Sequence, residues 1–282
     1  MTTLKENALL SFLNEHFKYF TGPEYFVNSQ DYLNWALMLP YANDNLQTII
    51  KRDDQIIVTA TCYEIVLHGV KDRLVAGNFL CIHKDYRKNG LTKSVVFDSY
   101  RKIFENGIRG VIWLSEKKIY ANCICGFNYY VKNINDYHNN SDLTYQLAGI
   151  SDIPTITKSI NKEKYLSPIF NDNCVYHYFF EYPNVVRSLL IGSSFCSYYV
   201  KETNFGIKSA YIFYYSKLTK LIMECCIKDA LTQGISLLLI SNINAERRMV
   251  ISELDFVKTD LDCYYYTNLP LQPSIEIELV LV

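Results

Sequence analysis

The chain has 282 residues, 49% of them hydrophobic, so it can bury one large core or two domain-sized ones and is too apolar for intrinsic disorder. Against 29 acidic residues stand 28 basic ones, a formal charge of −1, which excludes a general electrostatic case for nucleic acid or for an anionic membrane; any anion site must be local. Nine cysteines, among them the neighbours Cys225 and Cys226 and the pair Cys123 and Cys125, form no CxxC repeat and have no histidine spacing for zinc, so they read as reduced thiols of a cytoplasmic protein with no metal implied.

The opening "MTTLKENALLSFLNEHF" carries charges among its apolar residues, unlike a signal peptide, and Met-Thr excludes an N-myristoylation signal on this chain itself. No stretch is long and apolar enough to span a bilayer, so no stable membrane insertion is expected. Leu9, Leu10, Phe12, Leu13, Phe17 and Phe20 recur at helical spacing, and "NSQDYLNWALMLP" offers Ser29 as the cap of a second helix that Pro40 ends. Three β-rich runs follow, "QTIIKR", "IIVTATCYEIVL" and "LVAGNFLCI", separated by turns at "DDQ" and at His68 and Gly69, an antiparallel meander. Residues 90–107 place Leu91, Val95, Val96, Tyr100, Ile103 and Phe104 on one helical face, and Gly107 and Gly110 lead into the strand "VIWL", completing a parallel crossover.

After the polar break "NINDYHNNSD" the chain begins again: helices after Ile153 and Pro154 and around "CVYHYFFEY", strands near 185–191 and 194–201, then "SAYIFYY", a helix over 217–233 ending at Gly234, and the strand "ISLLLIS". Two similar α/β halves, 1–140 and 141–282, are the simplest organisation. Between "LVAGNFLCI" and the helix at 90–107 lies a short basic turn. A helix start leaves amide N–H groups unpaired and adds dipole charge, Gly90 admits a close ligand, and Arg87 and Lys88 can meet phosphate oxygens.

The spacing Arg87-x-x-Gly90-x-Thr92 after a strand is similar to the pyrophosphate signature of GNAT-type acyltransferases. The longer run "NFLCIHKDYRKNGL" resembles the corresponding segment of glycylpeptide N-myristoyltransferases, and "LLSFLNEHF", "YLNWALMLP", "CVYHYFFEYP", "SAYIFYY" and the closing "IEIELVLV" spread that resemblance over nearly the whole chain. It implies two tandem GNAT-like halves related by a pseudo-twofold axis around a continuous mixed sheet. The first would bind myristoyl-CoA, a co-substrate and not a permanent cofactor, and the second mainly the glycine-starting peptide, in a chain taken as a monomer. The main-chain amides of Phe79 and Leu80 would form the oxyanion hole, and Asn78, Cys81, Ile82, Arg87, Lys88, Asn89, Gly90, Leu91 and Thr92 the coenzyme A site. The C-terminal carboxylate of Val282 would take the proton of the attacking amine, and Leu114, Phe127, Tyr129, Tyr211, Phe213 and Asn242 would line the peptide site. His83 and His177 read as packing residues.

Two departures stand out. The family's segment with a phenylalanine-tryptophan motif that helps hold coenzyme A has no counterpart before Met1, so "MTTLKENALL" would have to replace it. The family's acidic run that favours basic peptides is replaced by "FKYFTGPEYF", which should weaken that preference. Two alternatives stay open: another acyl-CoA-dependent GNAT-type N-acyltransferase, and a catalytically silent acyl-CoA or peptide binder.

Overall fold

The structure, a computed structural model, describes residues 3–17, 26–37, 43–119, 121–137, 142–161 and 166–271. Helix α1 (Thr3–His16) buries Leu9, Phe12 and Leu13; strand β1 (Phe26–Val27) leads to α2 (Gln30–Leu37), where Ser29 Oγ accepts the Tyr32 N–H at 3.0 Å as the expected cap. Pro40 lies outside the described residues. Strands β2 (Thr48–Arg52), β3 (Gln55–Ile65) and β4 (Leu74–Ile82) form the antiparallel meander, and α3 (Leu91–Glu105) crosses over to β5 (Gly110–Ser115), parallel to β4.

Strand β6 (Asn122–Asn133) ends the first pass of the chain. The second consists of β7 (Gln146–Leu147), α4 (Ile153–Ile160), α5 (Asp172–Phe179), β8 (Val186–Ile191), β9 (Ser194–Thr203) and β10 (Lys208–Tyr215), then α6 (Lys220–Thr232), β11 (Leu237–Ser241), α7 (Ala245–Glu253) and β12 (Val257–Thr267). Again the crossover strands, β10 and β11, are parallel.

Among the described residues, all twelve strands join one sheet in the order β2-β3-β4-β5-β12-β6-β11-β10-β9-β8-β7, with β1 on β9. Exchanging β2 to β6 with β8 to β12 and reversing the ten strands from β2 to β8 returns the same order, the mark of the pseudo-twofold relation. The centre is also exchanged: β12 pairs with β5 over Tyr264–Thr267 and β6 pairs with β11 over Tyr129–Asn133, so each pass donates its last strand to the other. Residues such as Asn122, Gly126 and Asn128 in β6, and Asp260 and Asp262 in β12, disfavour strand locally, and neither strand is expected from the sequence alone. Gly126 has its reason in the exchange, since it lies opposite Tyr264 and a Cβ there would stand 3.3 Å from that ring.

One face of the sheet is covered by α1, α2, α4 and α5 over a core that includes Leu13, Trp35, Ile156 and Phe179. The other carries α3 over the first half, through Val95 and Ile103, and α6 and α7 over the second, through Met223, Ile227 and Val250. Trp35 ties α2 to α5: its Nε1 donates to Tyr178 O at 3.1 Å, and its carbonyl lies 2.9 Å from Nε2 of His177, whose Nδ1 meets Glu181 at 2.6 Å. His177 is therefore the packing residue it was expected to be.

Candidate active site

The β3–β4 ladder slips at one point: Thr59 faces Cys81 and Thr61 faces Asn78, so Phe79 and Leu80 together stand opposite Ala60. This β-bulge turns Phe79 to φ 47°, a left-handed conformation uncommon for a bulky residue. Threonines hold it in place, Thr59 Oγ1 donating to Phe79 O at 3.1 Å and Thr61 Oγ1 to Asn78 O at 2.9 Å. Pairing with β5 stops at Gly77 and Trp113, and the register gives Leu80, 40% exposed, no partner on β3. A fixed main chain released from both neighbours can donate to charge developing on a carbonyl oxygen. Phe79 N–H meanwhile donates to Asn78 Oδ1 at 2.9 Å.

Beyond the bulge, a short 3-10 turn at Lys84–Tyr86 leads into Arg87, Lys88, Asn89 and Gly90, with Leu91 and Thr92 the first residues of α3. Lys88 and Gly90 take positive φ, 67° and 75°, and the helix start has no side-chain cap, which leaves first-turn amides for water or an anion. Lys88, Asn89, Gly90 and Thr92 are exposed there. Arg87 is more committed than the sequence suggests: its Nε donates to Ile82 O at 2.9 Å and its Nη2 to His16 O, pinning the turn to the end of α1. Cys81 is buried, its thiol pushed up to about 12 by burial, so only its main chain can face a ligand; half-buried Ile82 packs beside Val58 and Val95. His83 accepts the Asp85 N–H, meets Gln55 at 3.1 Å and packs against the His16 ring at 4.0 Å, in keeping with a packing role.

On the helix-covered side of the bulge lies a small hollow of about 20 Å³ lined by Phe17, Phe26, Asn28, Tyr32, Asn78, Phe79 and Lys201. Asn14 clamps the Asn28 main chain with two hydrogen bonds, of 2.7 and 2.9 Å, which fixes this wall to α1. Tyr211 stacks on Tyr199 at 5.0 Å and meets Tyr129 edge-on at 6.0 Å, so these two expected peptide-site residues come together beside Lys201. Burial holds both phenols well above their usual pKa, which leaves them as hydrogen-bonding walls and not as bases.

Other expected site residues sit elsewhere. Phe127 is buried behind Tyr129, 5.2 Å from the Tyr265 ring, and Leu114 pairs with Tyr265 across the β5–β12 ladder. Phe213, 1% exposed, packs among Trp35, Tyr178 and Phe179 in the core. Asn242 exchanges two bonds with the Asn128 main chain, 2.8 and 3.0 Å, and so extends the β6–β11 ladder. Val282 and the rest of "IEIELVLV" lie outside the described residues, as do residues 18–25 of "FKYFTGPEYF". The sequence reading missed Lys201 as a wall of the hollow; the available signal is a lysine after the apolar and aromatic run "FCSYYV" in a strand.

A strand bulge opening beside a glycine-led helix start, on two pseudo-twofold halves sharing one sheet, defines the scaffold class as a tandem GNAT-like acyltransferase fold. Residues 3–125 match the family model for the N-terminal domain of myristoyl-CoA:protein N-myristoyltransferase. A 92-residue stretch is 33% identical to glycylpeptide N-tetradecanoyltransferase of Aspergillus fumigatus, covering 31% of this chain and 19%, about a fifth, of that relative's length. Two crystal structures of Saccharomyces cerevisiae N-myristoyltransferase with bound myristoyl-CoA superpose with TM-scores of 0.84 and 0.85 at 16% identity, each covering 96% of this chain and 82% and 78% of theirs. The likeness in sequence to N-myristoyltransferases lies in the N-terminal part of the chain, residues 3–125, and the fold it shares with the yeast enzyme extends over nearly the whole chain.

Proposed function

We propose that the chain transfers a myristoyl group from myristoyl-CoA to the amine of an N-terminal glycine. The observation that carries this is the β4 bulge, where Phe79 and Leu80 leave the ladder immediately before the glycine-led start of α3. The first half, residues 1–140, holds the acyl-CoA; the second, 141–282, holds the peptide. Phosphates rest on the first-turn amides of α3, with Lys88 at hand, where the helix dipole favours negative charge.

The thioester carbonyl lies against the main-chain amides of Phe79 and Leu80. An α-ammonium, with a pKa of about 7.7–8.0, must lose a proton before it can attack, and the carboxylate of Val282 accepts it. The amine's electron pair then forms the C–N bond while the carbonyl pair moves onto oxygen, where the amides hold it. When the carbonyl re-forms, the C–S bond breaks, and the departing thiolate takes the proton that the new amide nitrogen loses, leaving as CoA. For Phe79 N–H to serve, the thioester oxygen displaces Asn78 Oδ1. We assign the chain to the cytoplasm as a monomer; among the described residues no helix is long and apolar enough to cross a membrane.

Transfer of an alkyne-tagged myristoyl group to glycine-starting peptides, beside the same peptides acetylated and beside protein carrying one extra alanine after Val282, tests the proposal. Transfer that needs the free amine and collapses in the extended protein is expected; transfer unaffected by the extension would point to another GNAT-type acyltransferase. A second reading, a silent acyl-CoA binder, draws support from the bond between Phe79 N–H and Asn78 Oδ1, which occupies one oxyanion donor. Myristoyl-CoA binding with no transfer to any peptide would favour it.

A further inference from the structure

Lys201 is an ammonium held in a cage of rings. Its Nζ lies 5.1 Å from the Tyr32 centroid, 5.6 Å from those of Phe26 and Tyr211, and 5.7 Å from that of Tyr199. Ring faces stabilise the charge but are poor acceptors for its three N–H donors, and among the described residues the Lys201 ammonium has no hydrogen bond or ion pair. The acid that feels it is Glu116, whose carboxyl is raised by burial and drawn back by Lys117 and Lys201 without closing into an ion pair. On the same hollow Asn78 Nδ2 is buried with no acceptor among the described residues.

A buried donor without a partner costs about 1–3 kcal/mol, so native proteins rarely keep one unless something else supplies the acceptor. Asn78 Nδ2 is such a donor, and the half-buried ammonium of Lys201 lines the same small hollow, beside the bulge where the acceptor amine would react. We propose that this is an acid-recognising subsite: it takes the carboxylate of an Asp or Glu side chain close behind the acceptor's N-terminal glycine, pairing it with Lys201 while Asn78 Nδ2 donates to it. Neutral side chains gain only the aromatic walls, and basic ones meet Lys201. The preference would thus be reversed, and not only weakened as the replacement of the family's acidic run suggests. The inference rests on the acyl-transfer proposal only for the identity of the occupant as a peptide, and binding is measured apart from transfer.

The test uses the full chain and fluorescent glycine-starting peptides that differ only by Glu, Gln or Lys at each of positions 2–6, with Kd measured by polarisation and transfer measured separately. At one position Glu should bind about tenfold tighter than Gln, an advantage that shrinks in salt, disappears in Lys201→Met and survives in Lys201→Arg. Lys201→Met keeps a long stem in the cage, and an unchanged Tm shows that it is folded. Equal binding of Glu and Gln at all positions, or a preference kept by Lys201→Met, overturns the subsite. So does a Lys201→Met defect equal for every peptide, since the ammonium then serves the thioester. Transfer without an acidic preference sinks the subsite alone; acidic preference in binding with no transfer to any peptide sinks the enzyme reading and leaves the subsite standing.

Discussion

Each half carries a two-against-one bulge in the corresponding strand, β4 or β10, but only the first turns a residue, Phe79, to positive φ, and only the first leaves an amide open. In the first half Phe79 and Leu80 face Ala60; in the second, Phe213 and Tyr214 face Ser197, because Ile212 pairs with Tyr198 and Tyr215 with Cys196. Ser197 Oγ accepts the Tyr214 N–H at 3.2 Å and donates to Tyr214 O at 3.0 Å, while Arg247 donates to Phe213 O at 2.7 Å and to Ile212 O at 3.4 Å. Ala60 offers no such hydroxyl. The helix starts differ in the same way: α3 begins at uncapped Gly90, whereas at α6 Thr219 Oγ1 accepts the Ile222 N–H at 3.4 Å and the Glu246 carboxylate accepts the Leu218 N–H at 3.0 Å. Topology therefore does not make a site. Among the described residues the first half leaves the Leu80 N–H and the start of α3 without an internal acceptor, although Phe79 N–H is held by Asn78 Oδ1, whereas the second half closes both places, and a carboxylate at the second helix start would repel phosphate.

The contrast can be attacked from both sides. Arg247→Met removes the donor that fills the second bulge, leaving the Phe213 and Ile212 carbonyls and the Ser241 hydroxyl short of a partner in the core; a loss of about 3 kcal/mol is expected in urea unfolding, with acyl-CoA affinity unchanged in the protein that remains folded. Ala60→Ser gives the first bulge the hydroxyl of the second and should lower the rate of acyl transfer about 100-fold with nearly unchanged Tm, the scale of losing one oxyanion donor; full activity in that variant would mean that the bulge amides are not the oxyanion hole. Gly90→Ala forces an alanine to φ 75° at a point where its Cβ meets nothing, a strain of about 1 kcal/mol, and should weaken acyl-CoA binding several-fold in a titration of intact protein. Thr219→Ala uncaps the other helix start, costing about 1 kcal/mol of stability; if it also created a second CoA-binding site, the distinction between the halves would rest on that cap alone.

Much of this scaffold was legible because local preference and tertiary role agree. Leu91, Val95 and Ile103 repeat at helical spacing, and Gly90 and Gly110 bracket the crossover where a left-handed turn and a close approach are needed; a Cβ on Gly110 would stand 2.0 Å from Leu74. The exchanged strands β6 and β12 were not legible, since their glycine, asparagines and aspartates argue against strand until each is seen beside the other. Tyr211 and Phe213, two apart on β10, share a face and look equivalent in sequence, yet α2 and α5 close over Phe213 through Trp35 and Tyr178 and leave Tyr211 beside Lys201. The Lys201 cage takes its rings from β1, α2, β9 and β10, an assembly that no single stretch can announce.

The placement of β12 bears on how the protein is made. A ribosome delivers β5 and β6 with residues 134–256 still to come, and the strand that must lie between them emerges after those. Until then two neighbouring strand edges face water, the kind of exposed template that invites pairing with other chains. The nascent first half thus waits for the end of the second, and a message truncated before residue 257 would yield two lobes with a gap at the centre of their common sheet.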